Sequence, residues 1–270
     1  MKTMTLTAFA FLLAAVSARS SVVTRDVDYE HNGVKLQGFL AYDDSKTANA
    51  KLPGVLVIHE WWGLNDYVKH RAVQLAKLGY VAFAADMYGK GVLAKDAKEA
   101  GELAGSLRGK PLFAERAQAG LDQLLASGVV DPTRVAAIGY CFGGSAVQAL
   151  AYTGAPLVGI VSFHGGLIPA NAKIASRLKA KILICHGALD PSLKRAEIDA
   201  YLKSLDEAKI DYEFIQYAGA FHAFTNPDSD RNAEKNPGMK GFVAYSPTAD
   251  HRSWADMRVF FDEIFGETNG

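Results

Sequence analysis

Gly139-Tyr140-Cys141-Phe142-Gly143-Gly144 decides the fold. Upstream, Arg134 to Ile138 is a short, mostly apolar run of the kind buried in a parallel sheet, and downstream Gly144 to Tyr152 reads as a helix. Between them the chain must turn so tightly that side chains two positions either side of Cys141 would collide, which glycine at 139 and 143 avoids. The pattern is a strand-to-helix elbow with a thiol at its tip. Such a turn aims Cys141 at a helix N-terminus, where free N–H groups and the helix dipole favour a thiolate and a developing oxyanion. Taken alone, the hexapeptide reads equally well as a glycine-rich turn around a small buried cysteine.

Two later segments shift that balance. Lys181 to Pro191 is an apolar strand running into a loop with an acid, Asp190, and Tyr212 to Tyr217 is another strand, followed by Ala218-Gly219-Ala220-Phe221-His222. Nucleophile, acid and histidine thus follow one another along the chain, each just past the C-terminal end of a strand. That is the order of the α/β-hydrolase fold, and it makes Cys141, Asp190 and His222 the candidate catalytic residues.

The remaining pattern agrees with that fold. Val22 to Tyr29 and Val34 to Ala41, joined at His31-Asn32-Gly33, predict an antiparallel hairpin. Gly54 to Ile58, Tyr80 to Ala85 and Leu157 to Phe163 read as further strands. Helical patterns span Asp66 to Leu78, Lys95 to Leu107, Leu112 to Ser127, Leu193 to Ala208 and Thr248 to Phe265. Strands alternating with helices imply a mostly parallel central sheet covered by helices on both faces, with ligands bound beyond the strand carboxyl ends. No repeat or low-complexity tract interrupts residues 19–270, which read as a single α/β-hydrolase domain.

Residues 1–18 have the form of a secretory signal peptide: Lys2, an apolar run from Met4 to Ala15, and Val16-Ser17-Ala18 as a cleavage site near Ala18. The alternative is an uncleaved anchor, for which the run is short. A periplasmic or secreted enzyme with no stable membrane association after cleavage is the expectation. Equal numbers of acidic and basic residues, 29 each, give no electrostatic case for nucleic acid. Of the two cysteines, Cys185 lies inside a strand and reads as a small buried hydrophobe; pairing it with Cys141 would consume the nucleophile.

His59-Glu60-Trp61-Trp62-Gly63 follows an early strand, in the loop from which this topology takes one oxyanion donor. The main-chain N–H groups of Phe142 and Trp61 are therefore the expected pair. Trp61 and Trp62 are candidates to line an apolar pocket. Glu60 is less expected, since a carboxylate beside a thiol raises the thiol's pKa unless a partner intervenes. His59, His164 and His186 lie at strand ends, where isolated histidines are usually hydrogen-bonded structural groups, and no spacing supports a metal site. Asn226 to Ser246, rich in Asn, Pro, Gly and charge, reads as a loop that either covers the site or is a solvated connection.

With these residues in view, the chain resembles the dienelactone hydrolase family over essentially all of residues 19–270. The resemblance rests on His59-Glu60 and Gly63, Asp86-Met87-Tyr88, the Cys141 elbow, His186-Gly187 with Asp190, and His222 followed by Phe224. It implies a Cys141–His222–Asp190 triad and a Glu60 that interacts with the resting thiol and takes its proton when substrate binds. It also implies substrate-binding positions at Tyr88, Lys90 and Asn226. The last two stand where the family uses arginines to hold a substrate carboxylate; lysine lacks the bidentate fork and asparagine carries no charge. Hydrolysis of a small carboxylic ester or lactone through a thioester, with no cofactor and no metal, is the leading expectation, by a monomer or homodimer. The alternatives are a non-catalytic small-molecule binding protein on the same scaffold and a thiol redox protein, the latter disfavoured because no Cys-x-x-Cys occurs.

Overall fold

In the computed structural model, which describes residues 22–47 and 50–266, strands and helices alternate as the apolar periodicity requires. Residues 1–18, where a signal peptide is expected, lie outside the described part. The chain opens with β1 (Val22–His31) and β2 (Val34–Asp43), a hairpin whose Asn32 and Gly33 both have positive φ, at 51° and 76°. That is the two-residue turn whose twist matches paired strands. After a short α1 (Asp44–Thr47) come β3 (Leu52–Ile58), α2 (Asp66–Leu78), β4 (Val81–Ala85), α3 (Ala97–Leu107) and α4 (Pro111–Ala126). The central segment is β5 (Val130–Tyr140), α5 (Phe142–Ala151), β6 (Gly159–Phe163), α6 (Ala172–Ala175) and β7 (Lys181–Gly187). It is followed by α7 (Arg195–Glu207), β8 (Tyr212–Tyr217), α8 (Ser229–Lys235), a 3-10 turn at Pro237–Met239 and α9 (Pro247–Phe265).

The strands form one eight-stranded sheet in the order β1-β2-β4-β3-β5-β6-β7-β8, antiparallel at β1/β2 and β2/β4 and parallel from β4 onward. The parallel strands read as continuous apolar runs because alternate residues feed two cores. Leu56 and Ile58 pack with Phe113, Leu121, Val147 and Leu150 on one face. Val55 and Val57 pack with Val68, Leu75, Phe260 and Phe261 on the other. Helix boundaries follow local chemistry: Asn65 caps α2 through the Val68 N–H, Gly79 ends it at φ 100°, and Ser246 caps α9 ahead of Pro247. Among the described residues no helix is long and apolar enough to cross a membrane.

Two segments differ from the sequence expectation. The elbow strand begins at Val130 rather than Arg134, and its pairing with β3 shifts register between Pro53 and Gly54, so Asp131-Pro132 sits inside the strand as an irregularity. The stretch 226–246 is not a bare loop. It contains α8 and the 3-10 turn, and Ala233, Met239 and Val243 pack toward Trp61 and Trp62. Apolar anchors too widely spaced to show helical periodicity give it a face to bury.

Candidate active site

Cys141 sits between β5 and α5 at φ 52° and ψ −110°, a conformation that non-glycine residues rarely adopt. The flanking glycines are sterically required: a Cβ on Gly139 would strike the Gly143 carbonyl, and one on Gly143 the Ile58 carbonyl. The Cys141 N–H is shared between the carbonyl of Phe163, at 2.9 Å, and Nδ1 of His164, at 3.1 Å. Phe142 is the first residue of α5, so its N–H has no intrahelical acceptor.

Because β7 and β8 are neighbours, the loops at their carboxyl ends meet, and His222 bridges Asp190 and Cys141. Its Nδ1–H donates to Asp190 Oδ2 at 2.7 Å, and its Nε2 lies 3.0 Å from Cys141 Sγ. All three residues are buried. Burial alone would raise the Asp190 pKa, yet hydrogen bonds from His222 and Ser192 hold it at about 2. Burial likewise disfavours a charged His222, but the neighbouring Cys141 charge and the Asp190 hydrogen bond outweigh it and raise the imidazole to about 10. The arrangement favours a protonated imidazole facing the sulfur.

Glu60 is buried behind this row. Its Oε2 accepts a 2.6 Å hydrogen bond from Asn226 Nδ2, while Oε1 has no partner. Burial pushes its pKa up to about 7 despite the Asn226 contact. The sulfur's hydrogen-bond contact is with His222 Nε2 rather than with the glutamate that the family resemblance pairs with it. The loop is fixed by His59, whose Nε2 accepts the Met87 N–H at 3.2 Å, so Nδ1 carries the ring proton and donates to the Glu60 carbonyl. Tyr88 donates its hydroxyl to the Trp61 carbonyl at 3.1 Å and packs against His59 and Phe142.

A cavity of about 480 Å³ opens above the sulfur, walled by Trp61, Trp62, Phe113, Ile168 and Phe242 together with Glu60, Asn226 and His222. Tyr88 is not among its lining residues. Lys90 does not reach it: the side chain is solvent-exposed and pairs with Asp28 at 2.7 Å, because the turn after β4 points it toward β1. The cation that does line the cavity is Arg108, from the end of α3, with its guanidinium 5.6 Å from the Phe142 ring centre. Nothing in the sequence around Leu107-Arg108-Gly109 marks it, since its approach depends on how α3 packs. Among the described residues no carboxylate pairs with it, and no group of three or more His, Cys, Asp or Glu converges as a metal site. Cys185 is a free, buried thiol in β7 and accepts a contact from the Tyr217 hydroxyl.

Sheet order, helical layers and a residue row built from three strand-end loops define an α/β-hydrolase. The dienelactone hydrolase family model matches residues 36–265, and the chain belongs to that family of carboxylic ester and lactone hydrolases. It is 30% identical over 244 residues to "Protein usf" of Aquifex pyrophilus, spanning 88% of this chain and 97% of that one. It is also 30% identical over 207 residues to the "Putative carboxymethylenebutenolidase" of Aquifex aeolicus, covering 74% and 86% of the two chains. Among solved structures, a dienelactone hydrolase-like promiscuous phosphotriesterase from metagenomic libraries superposes with a TM-score of 0.83 and 39% identity, over 91% of this chain and 99% of that one.

Proposed function

We propose that the protein hydrolyses small carboxylic esters or lactones with Cys141 as nucleophile, His222 as general base and acid, and Asp190 as the residue that orients and charges the imidazole. The observation that carries this reading is the continuous row from Asp190 Oδ2 through His222 to Cys141 Sγ, with contacts of 2.7 and 3.0 Å. The thiolate attacks the carbonyl carbon, a C–S bond forms, and the carbonyl π pair moves onto oxygen. The oxyanion is received by the N–H groups of Phe142 and Trp61, each such donor typically contributing about 3 kcal/mol. Collapse breaks the C–O bond, and the imidazolium of His222 protonates the departing oxygen. Water then loses a proton to His222 as it attacks the thioester, which releases the acid and restores the thiol.

The cavity supports a substrate with an apolar or aromatic body, lodged against Trp61, Trp62 and Phe113. Arg108 offers it a guanidinium without a carboxylate partner, suited to an anionic group at the far end of the acyl or leaving part. Asn226 holds Glu60 instead of meeting substrate charge. The leader sequence supports export before this chemistry takes place.

The test is hydrolysis of aryl esters and lactones, with and without a carboxylate, by the mature protein and by Cys141→Ala and Cys141→Ser. An aryl phosphotriester joins the panel because of the activity named for the solved relative. Turnover lost in Cys141→Ala supports the reading. Ligand binding without turnover of any substrate, by a protein whose Cys141 resists alkylation, contradicts it and favours a binding protein.

A further inference from the structure

His164 closes β6 at φ 42° and is completely buried. Both ring nitrogens are engaged. Nδ1 accepts the Cys141 N–H at 3.1 Å, and Nε2 lies 2.7 Å from Thr225 Oγ1. An N–H donor at Cys141 requires a bare Nδ1, so the ring proton sits on Nε2 and is donated to Thr225. Thr225 Oγ1 meets the Tyr67 hydroxyl at 2.7 Å, and the Thr225 carbonyl accepts from Arg71 Nη2 at 2.7 Å; the same nitrogen pairs with Asp250 at 2.5 Å. Thr225 lies three residues beyond His222 on the same loop. The His164 ring also stands edge-on to that of His222, with centroids 5.3 Å apart.

We propose that His164 is a positioning residue for Cys141: its neutral ring ties the main chain of the elbow to the His222 loop through Thr225 and so sets the separation of Cys141 Sγ from His222 Nε2. The proposal rests on the reading of Cys141 as the nucleophile. Two physical points support it. A residue at positive φ persists only where its surroundings over-determine it, and His164 supplies one of the two acceptors that hold the Cys141 N–H. Sub-ångström loosening of a nucleophile–base pair is also costly, because the pair acts only at hydrogen-bond distance.

The ring must stay neutral to do this. Burial, with His222 and Arg71 nearby, holds the His164 pKa well below the usual imidazole range. A proton on Nδ1 would abolish the acceptor for Cys141 and place a second cation against His222. Other titratable groups around the pair are Asp190 after β7, Glu60 after β3, Tyr88 after β4, Asp250 on α9, and Tyr67 and Tyr140; Tyr67 and Arg71 bond Thr225 and pack on the Tyr140 ring, but among side chains it is His164 that bonds the Cys141 main chain itself.

The experiment compares the parent with Thr225→Val, Thr225→Ser, His164→Asn and His164→Ala. It reads kcat and KM on an aryl ester and the rate of Cys141 alkylation by iodoacetamide between pH 5 and 10. Thr225→Val and His164→Ala should lower kcat roughly 10- to 100-fold with KM within about twofold, the range seen when groups orienting a reactive residue are removed. In both, alkylation of Cys141 at neutral pH should slow several-fold as the sulfur loses its close contact with the imidazole. Thr225→Ser, which keeps the hydroxyl, should restore both readouts. His164→Asn should retain part of the effect through its amide oxygen near the Cys141 N–H. Folded Thr225→Val with the parent's kcat and alkylation rate overturns the proposal, even if His164→Ala fails to fold. A parent whose turnover is indifferent to Cys141→Ala overturns the proposed function itself, and is recognised before any strut variant is compared.

Discussion

Asn226 donates its side-chain amide to Glu60 Oε2 at 2.6 Å, and this contact anchors a buried carboxyl group in the same cavity as a Cys141 sulfur that is already in contact with His222 Nε2. In this state Glu60 is held by a neutral donor and its second oxygen, Oε1, is buried without a partner. Such a carboxyl group is costly when ionised, which explains why its pKa lies near 7.

Glu60 should therefore weaken the fold at alkaline pH. Its folded pKa of about 7 lies above the ordinary value, so below roughly pH 4 both folded and unfolded states are protonated and no penalty exists. Between about pH 4.5 and 7 the unfolded chain releases this proton while the folded state keeps it, so stability falls by a limit of about 3 kcal/mol and levels off above pH 7. Glu60→Gln should be more stable than the parent at pH 8 to 9, with the difference shrinking toward zero near pH 4. Urea denaturation at the two pH values measures this, and an equal difference at both would refute it.

The cation that meets substrate should be Arg108 and not Lys90. Arg108→Gln is expected to raise KM about tenfold or more for carboxylate-bearing esters, in line with loss of a charge-assisted hydrogen bond, and to leave uncharged esters within about twofold. Lys90→Gln should change neither class, because its side chain is spent on an exposed pair with Asp28. Steady-state kinetics on matched neutral and carboxylated esters separates the two residues.

Gly143→Ala should cripple the protein without touching a reacting group. The added methyl would overlap the Ile58 carbonyl on β3, backbone against backbone, so neither side can yield cheaply. A loss of several kcal/mol in stability is expected, of the order seen for strain at special backbone positions. Thermal unfolding reads it directly, and a melting temperature unchanged from the parent would show that the elbow has slack.

The chemistry of the candidate site was legible where local sequence alone enforces it. Gly139 and Gly143 mark the elbow because only the absence of a Cβ lets the strand meet the helix; Asp190 stands just past the buried apolar run of β7, and His222 just past its neighbour β8, which closes the edge of the sheet. Lys90 and Arg108 were not legible in this way. Which cation faces the cavity depends on the direction of the turn after β4 and on the packing of α3, both tertiary. His164 was readable as a buried strand-end histidine, but its link to Thr225 spans 61 residues of sequence and appears only when β6 and the His222 loop are brought together. The helix in 226–246 escaped because Asn, Pro and Gly dominate the local signal while its few apolar anchors act through Trp61 and Trp62.

Asp190→Asn should preserve the fold and remove most of the rate. The amide removes the negative charge that favours the imidazolium, and by presenting its N–H to His222 Nδ1 it fixes the tautomer that cannot take up a proton at Nε2 during turnover. A fall in kcat on the order of 10³- to 10⁴-fold is expected, with KM changed far less. An Asp190→Asn enzyme within tenfold of the parent would mean that the imidazole is oriented by something else.

The most direct measurement is rapid-quench mass spectrometry of the protein mixed with an aryl ester, followed by peptide mapping. The account predicts a transient mass increase equal to the acyl group, confined to the peptide containing Cys141, cleaved by hydroxylamine as a thioester is, and absent from Cys141→Ala. Full turnover in Cys141→Ala, or an acyl group carried on any other residue, would contradict it.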